Sequence, residues 1–215
     1  EQVIECDKLL VVVGRKPNTQ QLNLSEIGIE LDPKGFVNVD TQMRTNLKHI
    51  YASGDVVTGP MLAHKATKEG KIAAENASGL NTYLDNKVIP MVVYNDPELA
   101  SVGLTKKEAE SKGYDVMSDK FPFSGLGRAR MFEKTSGFIK IISNRKNNMI
   151  LGVHMVGPYV SELVGEATLA IEMGATIDDI AHIIHPHPTI SEGFGEAADV
   201  ALGKSVNIFC PPKDN

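Results

Sequence analysis

The pattern of hydrophobic and polar positions changes character along the chain. Near the start, Leu9-Leu10-Val11-Val12-Val13 is an unbroken apolar run, rich in β-branched residues and closed by Gly14. A run with no polar face predicts a strand buried on both sides in a parallel sheet. Such a strand needs neighbours for its backbone N–H and C=O groups, so this reading expects sequence upstream of these residues. From Arg15 to Asn46 the pattern is loop-like, with Pro17-Asn18, a turn at Asp32-Pro33-Lys34-Gly35 and a short alternating strand from Phe36 to Val39. Ile50-Tyr51-Ala52 predicts a short strand running into Ser53-Gly54-Asp55. Met61 to Asn76, rich in Ala, Lys and Glu, predicts a helix stopped by Gly79.

Beyond about Val88 the periods alternate. Pro90 to Tyr94 and Leu99 to Gly103 read as strands, and Thr105-x-x-Glu108 has the spacing of a capping box for a short helix ending near Gly113. Phe138 to Ile142 and Ile150 to Val156 flank Asn147-Asn148, which predicts an antiparallel hairpin. Val160, Leu163, Val164, Ala167, Ala170 and Ile171 fall on one face of a helix over 160–173 stopped by Gly174, and Thr176-x-x-Asp179 opens another short helix. The fold class expected is α+β, an antiparallel sheet with helices on one face over about Val88 to Pro211.

Composition narrows the function classes. Among 215 residues, 22 Lys and Arg against 27 Asp and Glu leave a formal charge of −5, which lacks the clustered positive field of a nucleic-acid or anionic-membrane surface. No apolar run approaches the roughly 20 residues of a membrane helix, and Glu1-Gln2-Val3 does not open a secretory signal. The missing initiator Met leads to the expectation of a processed or truncated chain. Cys6 and Cys210 show no paired spacing, so neither a disulfide framework nor a thiolate metal site is expected, and a reducing compartment follows.

The most informative stretch for chemistry is His185-Pro-His187-Pro-Thr-Ile-Ser-Glu192. Pro188 pushes His187 out of the α region, which fixes the imidazole's direction ahead of a helix. An oriented histidine titrates near neutrality and serves as proton acceptor and donor. Glu192, five residues on, has the reach to hold its other ring nitrogen. The same Thr189-x-x-Glu192 spacing is also an ordinary capping box, and His182, His185 and His187 together offer a third reading, a metal site. His154, in an apolar strand, reads as a satisfied core histidine. Gly193-Phe-Gly195-Glu-Ala-Ala198 matches a relaxed dinucleotide fingerprint but follows a proline turn rather than a strand, so it is rejected. Ser53-Gly54-Asp55 is a better cofactor contact, with a glycine that admits a ligand and a carboxylate suited to sugar or polyol hydroxyls. Gly59 to His64 then leads into a helix whose first-turn amides face an acceptor-rich ring. A plain structural turn remains the alternative there.

Tyr51-Ala-Ser-Gly-Asp55-Val56, Gly59-Pro-Met-Leu-Ala-His64-Lys-Ala66 and His185 to Glu192, with Gly14 to Thr19 and Asn95 to Gly103, resemble blocks of the dihydrolipoyl dehydrogenases of the pyridine nucleotide-disulfide oxidoreductase family. The resemblance covers essentially the whole chain and corresponds to about the C-terminal half of a member. It implies FAD and NAD as cofactors, and a division into 1–14 as the end of the NAD-binding domain, 15–87 as part of an α/β FAD-binding domain and 88–215 as an interface domain. It implies that Gly14 closes the nucleotide domain, that Asp55 meets FAD hydroxyls, and that Met61, Leu62, Ala63 and His64 line the flavin. His187, held by Glu192, is implied as the acid–base acting on the partner subunit's flavin and disulfide.

The implied activity is oxidation of dihydrolipoamide to lipoamide with NAD, and the implied partners are a second copy of the chain and the lipoyl domains of a 2-oxoacid dehydrogenase complex. Localisation is expected in a bacterial cytoplasm or the mitochondrial matrix. No metal is expected. The family's redox cysteine pair and both nucleotide fingerprints are missing from these residues, so the chain by itself is expected to be an inactive fragment. A glutathione-reductase-like or mercuric-reductase-like enzyme and a non-catalytic dimerisation module are the alternatives.

Overall fold

The computed structural model describes residues 2–210. The chain divides into two compact units, Glu1–Asp85 and Asn86–Asn215.

The first unit carries one long helix, α1 (Ala63–Ala77), and a 3-10 turn at Gly54–Val56. Isolated bridges join Leu31 to Val37, Val37 to Val57 and Arg44 to Tyr51. The short strands expected at Phe36 to Val39 and Ile50 to Ala52 are therefore reduced to single bridged residues. Leu9–Val13 requires a correction: it forms no strand, and its five side chains are between 65% and 95% exposed. A strand apolar on both faces takes its hydrogen bonds and its cover from neighbours, and among the described residues none lies in a ladder beside it. The helix stop is as the sequence predicts. Gly79 sits at φ +91, its N–H donates to the Asn76 carbonyl at 3.1 Å, and the Leu80 N–H reaches the Glu75 carbonyl at 3.0 Å, the paired bonds of a Schellman stop.

The second unit is the α+β layer that the sequence predicts. Strands β1 (Met91–Val93), β2 (Glu98–Gly103), β3 (Val116–Pro122), β4 (Phe138–Asn144) and β5 (Ile150–Gly157) form one sheet in the order β1-β2-β5-β4-β3, with every pair antiparallel. The β4–β5 hairpin turns where expected, with Asn148 at φ +56. Alternation along the strands sends Ala100, Val102, Ile139, Ile141, Val153 and Met155 to one face. There they meet α4 (Val160–Met173), α5 (Ile177–Ala181) and α6 (Glu192–Ala201) in a single buried cluster.

All six α4 positions picked out by periodicity are buried. The helix starts where Glu98 of β2 accepts the Ser161 N–H at 3.0 Å and stops at Gly174, φ +70. The capping boxes at Thr105 and Thr176 both form, opening α2 (Lys106–Ser111) and α5. A register shift at Ile142/Ser143 leaves Leu151 without a partner opposite. Leu151 packs instead with Ile142 and Ala109 of α2 in a smaller cluster. Two elements escape the sequence pattern: β3, where Phe121 is the one fully buried side chain, and α3 (Gly127–Met131).

Candidate functional site

Between α5 and α6 the chain is irregular, and this segment carries the candidate histidines. The His187–Pro188 peptide is cis. His187 Nδ1 lies 2.7 Å from Glu192 Oε1, while Glu192 Oε2 accepts the Thr189 backbone N–H at 2.8 Å. Glu192 thus meets both of the partners that its spacing left open, one on each oxygen. The carboxylate accepts, so Nδ1 carries the proton and Nε2 is the acceptor of the neutral ring. The His187 side chain is 77% exposed against 22% for Glu192, which leaves the accepting nitrogen open to a substrate while its orienting carboxylate is sheltered. Such an arrangement can take a proton from a thiol or hydroxyl and return it, the resulting imidazolium being stabilised by the adjacent carboxylate.

The other histidines go elsewhere. His182 Nδ1 lies 2.7 Å from the Asp178 carbonyl, and His185 Nε2 lies 3.0 Å from Glu166 Oε1 of α4. The three imidazoles of the segment therefore face three different partners. Among the described residues no group of three or more His, Cys, Asp or Glu side chains is placed to hold a metal. His154 is satisfied, with Nε2 3.0 Å from the Leu104 carbonyl, but it lies on the face of β5 opposite the helices rather than in the core. Burial lowers its pKa below the ordinary imidazole value. The rejected fingerprint lies within α6, where its glycines allow close packing: a Cβ on Gly193 would come 2.9 Å from Ile139 Cδ1.

In the first unit, Ser53-Gly54-Asp55 leads into the 3-10 turn rather than ending a strand. Gly54 is buried at φ +82, a conformation that favours glycine. The device that holds it is invisible to motif reading. Lys65 and Glu69, one turn apart in α1, pair at 2.9 Å with side chains 4% and 2% exposed. Glu69 Oε2 accepts the Gly54 N–H at 2.8 Å, and Lys65 Nζ donates to the Gly54 carbonyl at 3.3 Å. A Lys–Glu spacing of four reads as a solvated helix pair; the one available signal was that both sit on the face of α1 that also buries Ile72 and Asn76.

Asp55 stays half-exposed, and Arg15, next to Gly14, links it to the following segment: Arg15 Nη1 is 3.9 Å from Asp55 and Nη2 donates to the Met61 carbonyl. Gly14 itself is exposed at φ +144. Met61 and Leu62 are partly buried, Ala63 and His64 exposed, and the start of α1 has no side-chain cap. Asp55 and Met61 are thus brought together around Arg15.

The family model described as "Pyridine nucleotide-disulphide oxidoreductase, dimerisation domain" matches residues 89–198, and the one described as "Pyridine nucleotide-disulphide oxidoreductase" matches residues 1–70. The chain belongs to the pyridine nucleotide-disulphide oxidoreductase family. Within that family it is 49% identical over 209 residues to dihydrolipoyl dehydrogenase of Thermus scotoductus, covering 97% of this chain and 45% of that protein. It is 45% identical to the mitochondrial dihydrolipoyl dehydrogenase of Sus scrofa, covering 96% and 41%. Among solved structures, the flavoprotein disulfide reductase RclA from Escherichia coli superposes with a TM-score of 0.83 at 27% identity, over 90% of this chain and 45% of that one. LpdA from Mycobacterium tuberculosis does so with a TM-score of 0.77 at 30% identity, over 85% and 40%. The chain spans a little under half the length of these curated relatives.

Membership in the pyridine nucleotide-disulphide oxidoreductase family implies FAD and NAD. FAD carries sugar and polyol hydroxyls, and the half-exposed Asp55 carboxylate is a group that could accept from them. A Cβ on Gly54 would press on Ala66 at 3.2 Å, so the turn is tailored to α1, with the Asp55 carboxylate left exposed beside an uncapped helix start. For NAD these residues offer no phosphate-binding glycine loop.

Proposed function

We propose that this chain carries the acid–base and dimer-forming portion of a flavoprotein disulfide oxidoreductase of the dihydrolipoyl dehydrogenase kind. The observation that carries the reading is the His187–Glu192 pair, an imidazole held on one nitrogen by a sheltered carboxylate and open on the other. In this reading residues 1–14 end an NAD-binding domain, 15–87 belong to an FAD-binding domain and 88–215 form the interface domain. Asp55, Met61, Leu62, Ala63 and His64 would hold FAD, and Gly14 would close the nucleotide domain. FAD, when bound, supplies the carrier that passes an electron pair between a disulfide and NAD.

The work of the chain's own residues is proton transfer. A dithiol is a nucleophile only as its thiolate, and an ordinary thiol, with a pKa near 8.5, is mostly protonated at neutral pH. His187 Nε2 takes the S–H proton and leaves the electron pair on sulfur, which attacks one sulfur of a disulfide, forming a mixed disulfide as the old S–S bond breaks and the other sulfur departs as a thiolate. Glu192 stabilises the imidazolium until the proton is returned. The attacked disulfide comes from outside these residues, because Cys6 and Cys210 are both free thiols. The partners in this reading are a second copy of the chain, to which His187 is lent, and a lipoyl group of a 2-oxoacid dehydrogenase complex, in a bacterial cytoplasm or mitochondrial matrix.

The test is His187→Gln in the assembled flavoprotein. Dihydrolipoamide:NAD oxidoreduction should fall about a hundredfold or more, the scale of a lost general acid–base, while the visible flavin spectrum stays unchanged. Parental turnover in that variant would overturn the reading. A colourless assembly would leave a dimerisation module instead.

A further inference from the structure

The proton-transfer reading gives His187 a direction, but its ring is mostly exposed and among the described residues its one polar side-chain partner is Glu192. What fixes the backbone beneath it lies two residues earlier. His185 is the opposite of His187 in environment, with a side chain 9% exposed. Its Nε2 lies 3.0 Å from Glu166 Oε1, a side chain from the middle of α4. The other edge of the ring rests on α6 at Gly195, so closely that a Cβ there would come 2.9 Å from Nδ1 and 3.1 Å from Cε1. Gly195 lies inside the helix, where glycine is a poorer helix former than alanine. The position gives up helix propensity and gains room for the imidazole. Pro186, with its fixed φ, then transmits the placement of His185 to His187.

We propose that Glu166 and His185 are positioning residues for His187: locked between α4 and Gly195 of α6, the pair sets the direction from which His187 reaches Glu192. The inference rests on the acid–base reading of His187 for its purpose, and on the clamp's own geometry for its existence. The two histidine–carboxylate pairs then divide the labour, one with a sheltered imidazole that holds position and one with an exposed imidazole that moves protons. The groups that set the charge of His185 are Glu166 from α4, Glu192 from the start of α6 and the Ile183 carbonyl on its own segment. The hydrogen bond to Glu166 is the largest influence and raises the pKa above the ordinary 6.5, against the opposing effect of burial. A raised folded-state value means that the clamp's stabilisation is fully present below about pH 6.5 and is lost as pH rises through the raised value.

The experiment is ring-nitrogen NMR of histidines in the full 215-residue chain, following exchange of the His187 Nδ1 proton across the His185 titration. Two variants perturb the clamp by different routes. Glu166→Gln keeps the shape and removes the charge; Gly195→Ala keeps both charged groups and pushes the ring. Both should speed exchange of the His187 Nδ1 proton about tenfold, the scale of one charge-assisted hydrogen bond. The two variants should speed His187 exchange alike whatever their separate effects on melting temperature, a parallel that a purely structural role does not require. In the parent chain exchange should accelerate as His185 loses its proton, and in Glu166→Gln this pH step should be shifted downward. Unchanged His187 exchange in both folded variants overturns the proposal and leaves the catalytic reading standing. Parental turnover in His187→Gln would remove the catalytic reading while leaving the clamp intact.

Discussion

Two stretches of this chain carry the same four-residue pattern and use it differently. At Thr105-x-x-Glu108 the threonine is the N-cap of α2: its hydroxyl oxygen accepts the Glu108 N–H at 3.3 Å, and Glu108 Oε2 takes both the Thr105 N–H and hydroxyl at 2.8 and 2.7 Å. Thr176 and Asp179 repeat the arrangement at α5. At Thr189-x-x-Glu192 the carboxylate still accepts the backbone N–H, but the threonine hydroxyl turns to the Pro186 carbonyl at 2.6 Å. The reason is where the helix begins. Glu108 is the third residue of its helix, whereas Glu192 is the first of α6. In each box one carboxylate oxygen takes the threonine's bonds, and at Glu192 the second oxygen faces His187 Nδ1. A local motif therefore specifies one backbone hydrogen bond, and what the second oxygen meets is set by the segment brought beside it.

Glu69 marks the far end of this series, a carboxylate with both oxygens engaged and no open side. Glu69→Ala should cost about 3–5 kcal/mol of first-unit stability in denaturant titration, because it strands a buried ammonium and the Gly54 N–H. A loss below about 1 kcal/mol would place this pair with the solvated ones. The comparison between the boxes is sharpened by removing each hydroxyl. Thr105→Ala should destabilise the second unit by about 1 kcal/mol and fray α2, whereas Thr189→Val, which removes bonds to the Pro186 carbonyl and Ser191 Oγ, should leave α6 intact and loosen the loop before it. Fraying of α6 in Thr189→Val would break the distinction.

The gentlest effect is on acid stability. Hydrogen bonds from Thr105 lower the Glu108 pKa below 4.5, and those from Thr176 lower Asp179 below 3.8. Depressed folded-state values give stability that is present above the unfolded values and lost as pH falls through the folded ones. Thr105→Ala should flatten the acid limb of the pH–stability curve, and an unaltered limb would contradict the cause assigned.

Where the sequence was legible, a local rule coincided with the tertiary outcome. The six buried positions of α4, the two capping boxes, the Gly79 and Gly174 stops and the hairpin at Asn148 each follow from period or turn chemistry within one segment. β3 was not legible, because Val116-Met-Ser-Asp-Lys-Phe-Pro122 lacks clean alternation and gains its place from pairing with β4. Leu9–Val13 misled for the converse reason: its pattern states what the run needs, not whether these residues provide it. The His187–Glu192 pair was legible from proline stiffness and reach. Lys65–Glu69 was not, since burial is what distinguishes it from a commonplace charge pair, nor was His185–Glu166, which joins two elements; burial and pairing across elements are settled by segments distant in sequence.

The exposed run Leu9–Val13 also governs how the chain behaves in company. Five adjacent apolar side chains, three of them β-branched valines, with no proline among them have the composition from which molecules stack edge to edge into fibrils. Charges flank them closely, Asp7 and Lys8 on one side, Arg15 and Lys16 on the other, with Pro17 just beyond. Such gatekeepers oppose stacking by repulsion between copies brought into register and by interrupting the extended backbone. Repulsion of this kind fades as ions shorten the Debye length to about 3 Å at 1 M. Whether copies of these 215 residues stay apart is therefore set by the eleven residues from Asp7 to Pro17, whose apolar run finds no cover among the described residues.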